Sequence, residues 1–481
     1  MGLTCQAFFD PVMDSMWRWL PAIDRLIRVL PEHTRGREPG QQLTVLKAPS
    51  GADWQRFDLY ARRVQALEYW IDMDDRGDNI GPEVDWDSVV RYYPGDHILP
   101  NLRSLKSDQA FMGDFYSLAI RPPLRDLYLN YFNIENEATL PEDLKQCAET
   151  LERLTIVTVG WEPSVISDDI SRALSCCTAL DSLHVDSLLP ETIRHLSQLR
   201  SITSLHFTLL RVELEATRLS FPALKDLEVR AREKTPALLV SFLDNLAAPK
   251  LQELEIYYDA DEATHVSGIP TIREKDFPPA THVEAVLLVA AAFPCLICIE
   301  YSFYVHHDRL PSPSHVCTSS VLRPLLALRG LEAVKLEQVP FNLMTGDVTI
   351  LAQAWPKLRA LRLGDCVKQP SSSVELQDLL PLVRNCPDLE DLGLSLFIPD
   401  DWTSAVARPP FGGSRSRLKT FYINGAGVAF SARAAAFLAS VFPEATLYAL
   451  FDSDNSCRLL IETKNMFVEV MKSGLPLREG M

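Results

Sequence analysis

Basic charge is the scarcer sign in this chain. Its 481 residues carry 47 Lys and Arg against 64 Asp and Glu, a formal net charge of −17. A phosphate backbone is met by clustered Lys and Arg, so this balance argues against general nucleic-acid binding and against an anionic membrane surface. It suits solubility and a basic partner. Long apolar runs are missing too. The longest, Ala285–Ile299, is interrupted by Pro294 and is too short to cross a bilayer. Met1–Leu30 carries Trp17, Arg18, Trp19 and Asp24 where a secretory signal needs an apolar core. Gly2 and Cys5 invite acylation, but Gln6 stands where Ser or Thr is required, so an unmodified start is expected. Ten cysteines are scattered from Cys5 to Cys457 without a dense framework, which reads as reduced thiols in a cytoplasmic or nuclear protein. With 47% hydrophobic and 23% charged residues, whole-chain disorder is excluded.

What is present is a repeat. Two free positions and then one separate three apolar residues, as in Leu124/Leu127/Leu129. The pattern returns at Leu151/Leu154/Ile156, Leu180/Leu183/Val185, Ile202/Leu205/Phe207, Leu224/Leu227/Val229 and Leu251/Leu254/Ile256. It continues at Leu296/Ile299/Tyr301, Leu331/Val334/Leu336, Leu358/Leu361/Leu363, Leu389/Leu392/Leu394 and Leu418/Phe421/Ile423, with weaker copies at Val64/Leu67/Tyr69 and Leu102/Leu105. Most steps lie at or near the 20–29 residue period of leucine-rich repeats. The last two apolar positions of each copy point to one side of a strand, and the free positions point to the other. Stretches such as Asp168–Cys177, Leu188–Leu199, Ala237–Leu246, Val283–Phe293 and Leu376–Asn385 space apolar residues for helices. Phe221-Pro222, Ala248-Pro249, Phe293-Pro294, Trp355-Pro356 and Cys386-Pro387 stop a helix and turn the chain towards the next strand. The predicted fold is α/β: a leucine-rich-repeat solenoid (horseshoe) with a parallel β-sheet on the concave side and helices on the convex side.

Polar or irregular stretches near 259–280, 304–318 and 399–417 read as loops projecting from the solenoid. The expected organisation is an N-terminal helical segment or cap at 1–40, the solenoid at 41–450 and a C-terminal helical cap or tail at 451–481. Asp14–Leu30 is expected to be helical, as are Ser431–Phe442 and Ile461–Met471, with a last strand at Thr446–Phe451.

Three features are weighed for chemistry. Cys295-Leu-Ile-Cys298 is followed by His306, His307, His315 and Cys317, but the spacing matches no standard finger and Cys298 falls inside a predicted strand, so free thiols are expected rather than a metal. Gly425-Ala-Gly427 sits between a strand and a helix, yet Phe430 occupies the third glycine position of a dinucleotide fingerprint; a tight turn is expected. No cofactor, metal or catalytic residue is predicted, and an enzymatic or nucleotide-binding role at Gly425 is the remote alternative.

The outward strand positions say more. They read Asp226, Glu228, Arg230, then Glu253, Glu255, Tyr257, then Cys298, Glu300, Ser302, then Ala333, Lys335, Glu337: six acids against two bases. Stacked like charges repel, so a face kept this acidic is a candidate for binding a basic protein partner through Asp226, Glu228, Glu253, Glu255, Tyr257, Glu300 and Glu337. A solvated face without a partner is the alternative reading.

Asn385-Cys386-Pro387-Asp388-Leu389-Glu390-Asp391-Leu392-Gly393-Leu394 resembles the cysteine-containing leucine-rich repeats of F-box proteins, and Cys147, Cys176 and Cys366 sit in comparable places. Phe9-Asp10-Pro11-Val12-Met13-Asp14-Ser15-Met16-Trp17-Arg18-Trp19-Leu20, with Leu30-Pro31 beyond, is similar to the segment after the F-box in basidiomycete F-box/leucine-rich-repeat-like proteins. The resemblance implies a fungal substrate receptor whose F-box docks on a Skp-type adaptor of a cullin–RING ubiquitin ligase. It begins near the end of that module, so adaptor docking requires a restored F-box. A stand-alone leucine-rich-repeat scaffold needs only the repeats.

Overall fold

Where the apolar triplet occurs, the chain alternates. In Ser182–Ser187 and Ser204–Leu209 every second side chain is buried and the others are half-buried. A computed structural model describes residues 6–21, 23–36, 43–69, 84–107, 115–132, 140–158, 168–209, 218–232, 236–259, 280–304, 316–364, 373–398, 416–424, 432–449, 462 and 464–465. The chain divides into two units, Met1–Thr208 with Leu219–Ala223, and Leu209–Arg218 with Leu224–Met481.

In the first unit the sheet strands are β1 Trp19–Leu20, β2 Ala66–Tyr69, β3 Ser104–Ser107, β4 Asp126–Phe132, β5 Arg153–Thr158, β6 Ser182–Ser187 and β7 Ser204–Leu209. They lie side by side in chain order, each parallel to the next. Leu67, Leu105, Leu127, Leu154, Leu183 and Leu205 share one register row and are fully or almost fully buried. Helices cross between successive strands; Pro190–Gln198 buries Thr192, Ile193, Leu196 and Ser197 and begins on a proline, whose missing N–H costs nothing there.

The N-terminal segment departs from expectation. A helix covers Gln6–Trp17, the chain then extends as β1, and a four-residue helix follows at Asp24–Ile27. Pro21 explains the break, because it disfavours helical geometry at Leu20 and offers no amide to the turn before it. Leu20 then enters the core and Trp19, 51% exposed, faces outward. The helix is held to the repeats by Arg63, which pairs with Asp10 and Asp14, and by Trp17 packed on Tyr60 at 4.7 Å.

The second unit holds β8 Asp226–Arg232, β9 Glu253–Asp259, β10 Cys298–Tyr304, β11 Ala333–Glu337, β12 Ala360–Leu363, β13 Asp391–Ser395, β14 Thr420–Asn424 and β15 Thr446–Ala449. These too are parallel and in chain order. A backbone device recurs at the start of most of the described coils. The carbonyl just before a strand accepts two amides from the next coil: Lys225 O takes Gln252 N and Glu253 N at 2.8 and 2.9 Å, and Glu332 O takes Arg359 N and Ala360 N at 2.7 and 3.0 Å. Groups that would otherwise be orphaned at the strand ends are thereby paired.

The proline turns behave as their chemistry requires. Ala248, Phe293, Trp355 and Cys386 are buried, the following proline is exposed, and the residue's carbonyl accepts the amide of the repeat leucine three positions on, at 3.1–3.3 Å. The expected helix Leu376–Asn385 is a 3-10 turn, Leu376–Leu379, leading into an α-helix, Leu380–Asn385, with Pro381 at its start. Ser319–Ala327 is a 3-10 helix with Pro324 inside it. The expected helix Ser431–Phe442 is found at Ala432–Val441. The stretches 260–279, 305–315 and 399–415 lie outside the described residues, as do Cys366 and Gly425–Gly427. Of Ile461–Met471 the structure describes Glu462, Lys464 and Asn465; Lys464 is buried and donates to the Ala445 carbonyl. Among the described residues no helix is long and apolar enough to cross a membrane.

Candidate functional site

The outward free positions of the second unit fall into rows. Asp226 lies beside Glu253, and Glu253 beside Cys298 and then Ala333. The middle row runs Glu228, Glu255, Glu300, Lys335, Arg362, Gly393, Tyr422 and Tyr448. A third row sets Arg230 beside Tyr257, Tyr257 beside Ser302 and Ser302 beside Glu337. The seven residues singled out from the sequence therefore share one face across four adjacent strands.

Their charges are not all available. Glu228 and Glu300 are only 8% and 9% exposed. Arg230 pairs with Glu228 at 2.8 Å and Lys335 with Glu300 at 2.8 Å. Burial pulls the Lys335 ammonium down, but the bond and charge of Glu300 hold it above its usual value. Arg362 pairs with Glu337 at 2.8 Å and with Asp391 at 2.7 Å. The Tyr257 hydroxyl donates to Glu255 at 2.9 Å. Burial pushes the Glu255 carboxyl above its usual range; the Tyr257 bond opposes this, and the nearby Glu300, Glu228 and Asp226 carboxylates add to it. Burial, the bond to Glu255 and the surrounding carboxylates likewise raise the Tyr257 phenol. Glu253 is exposed.

A group held above its ordinary carboxyl range costs stability when ionised, so that cost is present at neutral pH and absent in acid. Glu255→Gln keeps an oxygen for Tyr257 and removes the charge. Thermal unfolding of this variant is expected at a higher temperature than the parent at pH 7, the difference shrinking as the pH falls and vanishing below about pH 3, where the acid is neutral in both states. An unchanged or lower melting temperature at pH 7 contradicts the crowding of carboxylates around this position.

The other end of the middle row lies beyond the four strands that carry those seven residues. There the aliphatic stem of Arg362 lies against Gly393 and its guanidinium lies 4.5 Å from the centre of the Tyr422 ring. Tyr422 stacks on Tyr448 at 5.2 Å with 21° between planes. A Cβ on Gly393 would sit 3.2 Å from Arg362 Cγ, so any larger residue there requires the Arg362 stem to shift. The same alternation around Leu361, Leu392 and Phe421 turns Arg362, Gly393 and Tyr422 outward; their stacking requires the register. In the first unit the corresponding row reads Glu68, Lys106, Tyr128, Thr155, His184 and His206, with Lys106–Glu68 paired at 3.0 Å and the two imidazoles 5.2 Å apart.

Cys295 is exposed at a turn and Cys298 is half-buried on the strand, its thiol pushed up to about 11 by burial. Among the described residues no group of three His, Cys, Asp or Glu side chains is arranged to hold a metal. Cys147 and Cys386 are buried, with thiols raised by burial to about 12 and about 11. Cys176 is exposed, and its neighbour Cys177 takes the buried place in that repeat. A cavity of about 430 Å³ in the first unit is lined by Asp58, Arg62, Tyr93, Asp96, His97, Pro100 and Asn101. Its tyrosine hydroxyl already lies 2.8 Å from the His97 carbonyl and 3.2 Å from Asp58.

Parallel strands in chain order, each buried through its repeat leucines and joined through a helix or helical turn, define leucine-rich-repeat architecture in both units. No family model matches the sequence, and no curated protein matches it. Among solved structures, a leucine-rich-repeat protein of Leptospira interrogans is similar at 10% identity, over 89% of this chain and 99% of the other, with a TM-score of 0.38. TLR13, in a complex with ssRNA13, is similar at 13% identity over 80% of this chain and 54% of the other, with a TM-score of 0.32.

Proposed function

We propose that the chain is a protein-recognition module that docks its partner on the outward sheet face of the second unit. The observation that carries this reading is the middle row itself: charged and aromatic side chains held in register by the sheet and fixed by cross-strand bonds. Pre-ordered side chains lose little freedom on binding. Arg and Tyr are also the residue types that dominate binding energy at protein interfaces.

Within that role, the finer proposal is an F-box-like substrate receptor of a cullin–RING ubiquitin ligase in the cytoplasm or nucleus. It rests on the resemblance of Phe9–Leu20 and of the cysteine-containing repeats. Co-purification of the chain from cells with a Skp-type adaptor is the expected outcome. A properly folded full-length chain that never captures the adaptor ends the ligase proposal. The second reading, a scaffold without a ligase link, is favoured by β1: Trp19 and Leu20 pair with Ala66 and Leu67, which builds the N-terminal segment into the repeat sheet.

A further inference from the structure

The geometry points to a particular occupant of this face: an extended segment of a partner protein, with a lysine or arginine at one end and an aromatic side chain about seven residues away. This rests on the docking reading above and says what docks. Two independent features, five strands apart, carry it.

At one end, Glu253 stands beside Asp226 and Cys298, and Glu255 beside Glu228 and Glu300. A partner ammonium or guanidinium placed there meets the exposed Glu253 carboxylate and the neighbouring Glu255, while Arg230 and Lys335 are engaged by Glu228 and Glu300. At the other end, Tyr422 and Tyr448 form a stacked shelf, and Tyr448 is 45% exposed. Arg362 clamps the shelf while held by Glu337 and Asp391, so the rings are positioned before any partner arrives. A rigid tyrosine face suits an aromatic side chain.

Between the two ends the Lys335–Arg362 ridge is flanked on one side by Ala333 and Ala360 and on the other by Glu337. The alanine side, a low floor one residue wide, admits an extended chain, whereas a helix is about 10 Å across. Strands lie about 4.8 Å apart, so five steps from β9 to β14 span about 24 Å, which about seven extended residues cover at about 3.3 Å each.

The test is selection from a random displayed-peptide library on the purified full-length chain. Enriched peptides are expected to carry Lys or Arg six to eight positions from Tyr, Phe or Trp. Binding is expected to fall at least tenfold in Glu253→Lys/Glu255→Lys and in Tyr448→Ala, with unchanged circular dichroism. A Lys→Glu version of the best peptide should regain affinity for the charge-reversed chain. No enrichment, or a consensus without a basic residue, overturns the inference. Peptides that lose binding with Tyr448→Ala but ignore the charge reversal leave the docking face standing and remove only the cationic segment. Peptides indifferent to all three substitutions overturn both. Self-association of the chain abolished by Tyr448→Ala makes the occupant a second copy and also overturns it.

Discussion

Trp355→Ala is expected to lower the stability of the second unit by about 3–5 kcal/mol. The side chain is fully buried at the proline turn before β12. Its indole N–H donates to the Leu325 carbonyl at 3.1 Å, in the helical turn before β11. Its own carbonyl accepts the Leu358 amide at 3.1 Å and the Cys386 thiol at 3.4 Å, the latter from the coil that follows. One residue thus joins three successive coils. In a repeat protein each coil is stabilised only by its neighbours, so a cavity here weakens two interfaces at once. Trp355→Phe refills much of the space and removes only the indole bond, the Leu325 carbonyl keeping the Leu328 amide at 2.9 Å, a smaller loss of about 0.5–1.5 kcal/mol. Urea unfolding followed by circular dichroism checks both. A loss below about 1 kcal/mol for the alanine variant would mean the coils do not share this anchor.

Acid is expected to destabilise the same unit through His282. This histidine lies in the first turn of Ala280–Ala290 and is 8% exposed. Its ring is 6.0 Å from Tyr258 and 6.5 Å from Tyr301, and among the described residues its Nε2 has no hydrogen-bond partner. Burial lowers its pKa from 6.5 to about 4. The fold therefore requires the neutral ring, while the unfolded chain takes up a proton first as the pH falls. The stability is whole above the unfolded pKa and declines as the pH drops towards about 4, by about 3 kcal/mol in total. His282→Leu removes the titration and should flatten this part of the curve. Denaturant midpoints compared between pH 7 and about pH 4 isolate the effect, because every other group is common to both proteins. Parallel curves for parent and variant would sink the assignment.

Much of the architecture is readable along the chain because its cause is local. Leu183 and Val185, two apart, must share a side of an extended segment, and Phe293-Pro294 must end a helix wherever it stands. The same logic, applied to β1, misses it: Trp19-Leu20 carries no triplet, and only its pairing with Ala66 and Leu67 makes it a coil of the sheet. The candidate face divides in the same way. That Glu253, Glu255 and Glu300 point outward follows from alternation. That Glu300 is neutralised by Lys335, and Glu337 by Arg362, does not, because each pair is separated in the chain by a helical turn or helix before the strands meet.

The amino-acid order alone determined the period of the coils, their apolar spine and the list of side chains turned away from it, since these depend on residues a few positions apart. Tertiary structure decided which outward groups are neighbours. Cross-strand register is set by sheet hydrogen bonding between segments joined through stretches of unequal length. Only that register turns an acidic list into paired ions at the centre, crowded carboxylates at one end and a clamped tyrosine shelf at the other.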